Sequence, residues 1–333
     1  MSLSKPRALK QDDSGVASTV GTIMALLVVL TFMSLIVNQY VPVWGKEAEA
    51  SHMNTVLGQF GSFKSSVDTQ VVSAQVSATS GSTYIPTEAY SPIQLGTDGV
   101  PVFSSPTVGR LDGSGDEGLW TAQFTYAIEG SVYTVNQSAS GNVVLRVENR
   151  YHVPVTIAYE GGAIIVQQTG GEAVRVAPQF VVLNTTNGAE VALTLVQLIG
   201  SGNVAGSGTE GIRSKLLGLD MQVFTSIQTS LWINHTTLFG PAWFRYLNST
   251  LSLAFGVLES DFSTAGYQYF ESPSGQTVTT PFYVLTRSQS GLQHNVSLEI
   301  IHDPSVGRSI TKLTLNQAFV SIAIGRSGST LEV

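Results

Sequence analysis

The sequence predicts a mainly β protein carried on one long N-terminal α-helix, and three observations predict it. From Ser14 to Gly45 there are 32 residues without a formal charge. Beyond that run, apolar residues recur every three or four positions as far as Val71. After about Ala78 the chain changes to Gly/Ser/Pro-rich turns between short alternating or β-branched runs, which is the pattern of strands. The expected organisation is a cytoplasmic leader over 1–15, a transmembrane helix over 16–41, an amphipathic helical extension over 42–76 and a β-rich domain over 77–333. The last is read as an antiparallel β-sandwich-like ectodomain, with a subdivision near 200–216.

The first element rests on residues 23–37 (IMALLVVLTFMSLIV), apolar but for Thr31 and Ser34. With its uncharged flanks this stretch is long enough, as a helix, to cross the roughly 30 Å of a bilayer's hydrocarbon. A removable secretory signal has a shorter apolar core and an A-x-A-like site behind it, and neither is present. Lys5, Arg7 and Lys10 precede the span and only Lys46 follows it closely, so the positive-inside rule places the N-terminus in the cytoplasm and everything after Trp44 outside. Tyr40 and Trp44 fall at the level of an interfacial aromatic belt, where Pro42 reads as a kink or break. No later run approaches 18 apolar residues, so a single span is expected.

The second element follows from Met53, Val56, Leu57, Phe60, Phe63, Val67 and Val71, which line one helical face, with Glu47 and Glu49 near its start where carboxylates suit the helix dipole. Gly58 and Gly61 each cost about 1 kcal/mol of helicity relative to Ala, so this helix needs a partner surface, either the chain's own ectodomain or other subunits.

Strands are expected over 121–128, 131–136, 142–148, 153–159, 163–168, 173–176, 179–184 and 190–199, then over 219–232, 251–258, 277–286, 295–301 and 309–324. One helix interrupts the second set. It starts at Gly240-Pro241, with Pro at a first helical position, and runs to Leu247 with Trp243, Phe244 and Leu247 on one face. Residues 200–211 (GSGNVAGSGTEG) read as a linker or long surface loop.

Composition narrows the chemistry. Charged residues are 12% of the chain, about half the roughly 25% of ordinary soluble proteins, and Gly, Ser and Thr fill the polar positions. The net charge of -7 argues against nucleic acid as a partner. With no cysteine, thiolate catalysis, disulfides and Cys-based metal sites are excluded. Two G-x-G-x-x-G segments, 113–118 and 206–211, lack the strand-to-helix setting of a dinucleotide site. The five histidines are scattered without ligand spacing, and no titratable pair is marked out for acid-base work, so no enzyme and no catalytic residue is expected. Asp112, Asp116 and Glu117 alternate with glycines as in a loop that wraps a hard cation, which makes Ca²⁺ the one cofactor candidate beside a plain acidic turn. Five N-x-[ST] sequons, at Asn136, Asn184, Asn234, Asn248 and Asn295, all lie on the side that topology places outside, where glycosylation occurs.

The order of a short charged leader, SGVASTVGTIMALLVVLTFMSLIV, an amphipathic helix and a β-rich head resembles archaeal type IV pilin-like proteins, the group that includes archaellins and adhesion pilins. YEGGAIIVQQTGGEAVRVAPQF (159–180) and the PAWFRYL helix are similar to stretches in archaeal membrane-anchored pilin-like proteins with no assigned activity. The resemblance implies cleavage by a prepilin peptidase between Gly15 and Val16, and helices that bundle with those of other subunits into a filament core. The chain departs from the family's pattern in placing Asp12 and Asp13, rather than a basic pair, just before the proposed cut, and Val20 where bacterial pilins carry a glutamate. The function implied is a pilin-like cell-surface protein, a structural subunit or minor component of a type IV pilus-like filament with an adhesive head. The alternative is a monomeric single-pass membrane-anchored ectodomain for ligand binding or envelope structure. Membrane lipid is a partner in either case.

Overall fold

The computed structural model describes residues 13–99, 105–256 and 282–325, with side chains from residue 18 onward. Lys5, Arg7, Lys10, Asp12, the end of the expected strand over 251–258 and the start of that over 277–286 lie outside the described residues. One long helix is followed by a mostly β domain of three sheets.

Helix α1 (Asp13–Leu35) passes through one π-helical segment (Ile36–Tyr40) into α2 (Val41–Ser80). Proline lacks an N–H and its ring crowds the carbonyl four residues back, so Pro42 does not fit an unmodified α-helix. The π segment loosens the turn just before it, with the Val41 N–H bonded to the Ile36 carbonyl, and the helix continues without the expected break.

The strands are β1 (Glu88–Gln94), β2 (Gly109–Ser114), β3 (Leu119–Ile128), β4 (Ser131–Ala139), β5 (Asn142–Val147), β6 (Val155–Glu160), β7 (Ala163–Gln168), β8 (Gly171–Val176), β9 (Phe180–Thr185), β10 (Gly188–Ile199), β11 (Gly202–Gly206), β12 (Thr209–Phe224), β13 (Leu231–Thr237), β14 (Tyr283–Ser290), β15 (Gln293–Ile300) and β16 (Ile310–Ile324), with α3 (Gly240–Phe255) between β13 and β14. Sheet A has the order β1-β12-β16-β10-β9, sheet B β11-β2-β5-β6-β7-β8 and sheet C β14-β15-β13-β3-β4. Among the described residues all strand pairings are antiparallel except β10 with β16, which run parallel, so the expected mainly β domain of antiparallel sheets is what the chain forms, with that one parallel pair within it.

Two apolar cores result. In one, the buried stripe of α2 (Met53, Val56, Phe60, Phe63, Val67, Val71) is enclosed by sheets A and B. In the other, sheet C and α3 pack against the remaining faces of those sheets. Sheet B is therefore buried on both sides, which is why NVVLRV in β5 reads as a run rather than an alternation: Val143, Leu145 and Val147 belong to the first core and Val144 to the second. Strand β16 serves both cores in turn, Leu313 and Leu315 in the second and Ala318, Val320, Ile322 and Ile324 in the first.

Three expectations are overturned. Residues 200–211 are not a linker: they form β11 and open β12, and strands from before and after them share sheets A and C, so the subdivision near 200–216 does not exist. The expected strand from 251 is the end of α3, because Trp243, Leu247, Leu251 and Phe255 are buried at a spacing of four. The expected strand over 219–232 is two, the end of β12 and the start of β13, in different sheets.

Candidate functional site

The helix divides into an exposed half and a locked half. Within α1, Val20, Ile23, Leu26, Leu27, Leu30 and Phe32 are all more than half exposed, although they are among the most apolar residues of the chain. Residues Ser18–Ser80 form one helix long and apolar enough to cross a membrane. Gly15 and Val16 lie near the start of α1, so the proposed cut falls in helix.

Beyond the exposed half, α2 is fastened to the head by polar side chains that accept strand and loop N–H groups. Glu49 is buried and its carboxylate accepts three consecutive backbone N–H bonds from the β5–β6 loop: Arg150 to Oε1 at 2.9 Å, Tyr151 to Oε2 at 2.8 Å and His152 to Oε2 at 2.6 Å. Such charge-assisted bonds are about twice as strong as neutral ones. Gly45 lies one turn earlier, under the Tyr151 ring, where a Cβ would come within 2.2 Å of it. Farther along, Gln59 Oε1 accepts the Gln94 N–H at 2.9 Å, and Gln70 Oε1 accepts the Leu216 N–H at 2.7 Å, beside the bulge between Leu216 and Gly218 where the β12–β16 ladder slips.

The opposite side of α2 is made of small residues. Gly58, Gly61, Ser62, Ser65, Ser66 and Thr69, with Thr87 and Ala89 beyond, line an open groove of about 610 Å³. A Cβ added at Gly58 or Gly61 would meet nothing within 4 Å, so the chain's own packing does not require glycine at either.

A second constellation lies deep in the head. Glu160, at the end of β6, has no exposed surface, and its Oε1 accepts from Thr237 Oγ1 at 2.5 Å, His235 Nε2 at 2.9 Å and Trp243 Nε1 at 2.9 Å. Asn142 Nδ2 stands 3.4 Å from Oε2. His235 Nδ1 faces the Leu119 carbonyl at 3.2 Å, so both ring nitrogens face acceptors. That ring stacks on Trp120, with centroids 4.1 Å apart, and meets Trp243 edge-on at 5.0 Å. Burial alone pushes the Glu160 carboxyl upward, but His235, by hydrogen bond and charge, together with Thr237 and Trp243, outweighs it and leaves the group below the ordinary glutamate value. Gly118, at φ +69, is needed where the chain passes this carboxylate, since a Cβ there would fall 2.7 Å from Oε2. Glu160 and His235 are wholly buried, and the pair holds three strands and a helix together.

The expected cation loop is not assembled. Asp112 lies between two guanidinium groups, Arg110 Nε at 2.8 Å and Arg146 at 3.1 Å, Glu117 turns to accept from Asn142 Nδ2 at 3.1 Å, and Asp116 is exposed. Among the described residues no group of three His, Asp or Glu side chains could hold a metal ion. Of the sequons, Asn136 and Asn295 are exposed on sheet C, Asn234 is half-buried on its central strand, Asn184 is exposed on the edge strand β9, and Asn248 in α3 is half-buried with its Oδ1 taking the Tyr283 hydroxyl at 3.3 Å. Glu49 and Glu160 were not singled out for these roles by the sequence: an isolated Glu looks solvated until its acceptor duties are known. The only available signal for Glu49 was its place on the apolar face of α2, four residues from Gly45 and Met53. No protein-family model, curated protein or solved structure matches the chain.

Proposed function

We propose that the protein is a pilin-like surface subunit whose N-terminal helix anchors it in the membrane and packs with the helices of other copies, while its β-rich head stands outside. The observation that carries this reading is the pair of helical surfaces the fold leaves uncovered: the apolar α1 and the small-residue groove of α2. Gly58 and Gly61 each weaken the helix by about 1 kcal/mol and return nothing to the chain's own packing, whereas glycine and serine let a second helix approach closely. In this reading a prepilin peptidase removes the leader after Gly15, the membrane holds the helix until assembly, and the buried Glu160 cluster is structural rather than catalytic.

N-terminal sequencing of protein from native membranes and from sheared surface material tests the reading. A start at Val16 in the sheared fraction is the expected result. A start at Met1 or Ser2 confined to membranes overturns it and leaves a monomeric single-pass anchor.

A further inference from the structure

The outer face of sheet C has a composition unlike an ordinary solvated sheet. Its inner face is apolar, with Leu231, Ile233, Val296, Leu298 and Leu285 in the second core. Alternation then sends Trp232 outward at the centre of the sheet, where it is 44% exposed. Register places Gln123 of β3 and Glu299 of β15 directly beside it, with Asn136 of β4 next in the same row. The neighbouring row holds Thr286, Ser297, Asn234, Thr121 and Ser138. No Lys or Arg points outward among the described residues of these five strands; Arg287 of β14 lies on the inner side, over the Phe244 ring.

We infer that this face is a binding surface for a neutral glycan, with Trp232 as the stacking platform. The weakly positive C–H face of a pyranose ring complements the negative π face of an indole, and the central strand of the sheet leaves 44% of Trp232 open to such a ring. Amide and hydroxyl side chains one strand away on either side supply both donors and acceptors, which is what sugar hydroxyls need. Glu299 adds a carboxylate acceptor, accepting from Ser230 and partly desolvated by its surroundings. The charge pattern selects among ligands. With one carboxylate and no cation, the face repels phosphate backbones and acidic polysaccharides. A protein partner would be met by an apolar surround, but the row of Trp232 holds Gln123, Asn136 and Glu299, with Val284 its one apolar member, and the next row is all hydroxyl and amide. This inference is independent of whether the helices assemble.

The test uses the full chain in a detergent without a sugar head group, since a glycosidic detergent would compete. Retention is measured on immobilised mannan, β-1,4-glucan and N-acetylglucosamine oligomers, with heparin as the acidic comparison, for the native sequence, Trp232→Ala, Trp232→Phe and Gln123→Ala. The expected result is binding to at least one neutral glycan that falls tenfold or more in Trp232→Ala, falls less in Gln123→Ala, and is partly kept in Trp232→Phe, with unchanged melting temperatures. Equal retention of Trp232→Ala, no binding to any neutral glycan, or preference for heparin overturns the proposal. Intact mass of natively produced protein closes the remaining route: sugar attached at Asn136, Asn234 or Asn295 means that the face is covered by the chain's own glycans, which also overturns it.

Discussion

Glu160 shows how a single side chain can hold a fold together in a protein that is only 12% charged. Its oxygen joins β6 to His235 and Thr237 of β13 and to Trp243 of α3, so removing its charge weakens three hydrogen bonds at once and takes the anion from its partner His235. Breaking a buried pair by removing one partner costs about 3–5 kcal/mol. Glu160→Gln is therefore expected to lower stability by that order in denaturant unfolding. The pH dependence follows from the direction of the shift. Because the folded carboxyl titrates below its unfolded value, the unfolded chain binds more protons between the two, and the contribution is complete above the ordinary glutamate value of about 4.3 and is lost as pH falls through the lower, folded one. Unfolding measured from pH 7 down to pH 3 should show this loss in the native sequence and a flatter profile in Glu160→Gln; identical profiles would mean that Glu160 carries no such linkage.

At the scale of elements, α2 has two faces with opposite tolerances. On its buried face Phe60 and Phe63 have no exposed surface, and truncating either to Ala is a loss of about 3–5 kcal/mol. On its groove face Gly58→Ala and Gly61→Ala should each add about 1 kcal/mol to the stability of the isolated chain, since each Cβ enters open space. The Leu variants at the same positions should fold equally well and yet disappear from sheared surface material; undiminished recovery of Gly58→Leu there would remove the groove from the assembly. The sequence made the buried stripe of α2 legible because a 3.6-residue period survives in any context: Met53, Val56, Phe60, Phe63, Val67 and Val71 are buried as their spacing implies, and Leu57, at the edge of the stripe, is half-buried. Strand β7 was legible to the residue for the related reason that turn residues bracket it. What failed were places where local chemistry misreports its setting. The glycines of 200–211 suit loops, yet Gly202 and Gly113 are paired across β11 and β2, and Gly202 leaves room for Ile324 of the crossing strand. The candidate site was legible only in part: the exposed helix was evident from composition, whereas the Glu160 cluster unites positions as far apart in sequence as 160 and 243, which no local pattern announces.

For the whole molecule, the boundary that matters lies at Val41, the first buried residue of the helix, and not at the end of the helix. A fragment beginning at Val41 keeps every helical side chain of the first core and loses the exposed apolar run, so it should be a soluble, folded monomer by gel filtration and circular dichroism. A fragment beginning at Gly81 loses all of α2, several buried aromatic and aliphatic groups at once, and that loss exceeds the 5–15 kcal/mol by which domains are stable. It should be insoluble, and a soluble cooperative fold from it would show that the head does not need the helix. The central place of β16 in sheet A carries a kinetic consequence. This strand, the last of the described residues, stands between β12 and β10, two neighbours made long before it. Until it is synthesised and delivered, sheet A exists only as two hairpin-sized halves with bare edges, and α2 has no complete wall to lie against. Among these strands the order of synthesis is thus the reverse of the order of need, and the nascent chain must be kept from pairing wrongly until β16 arrives.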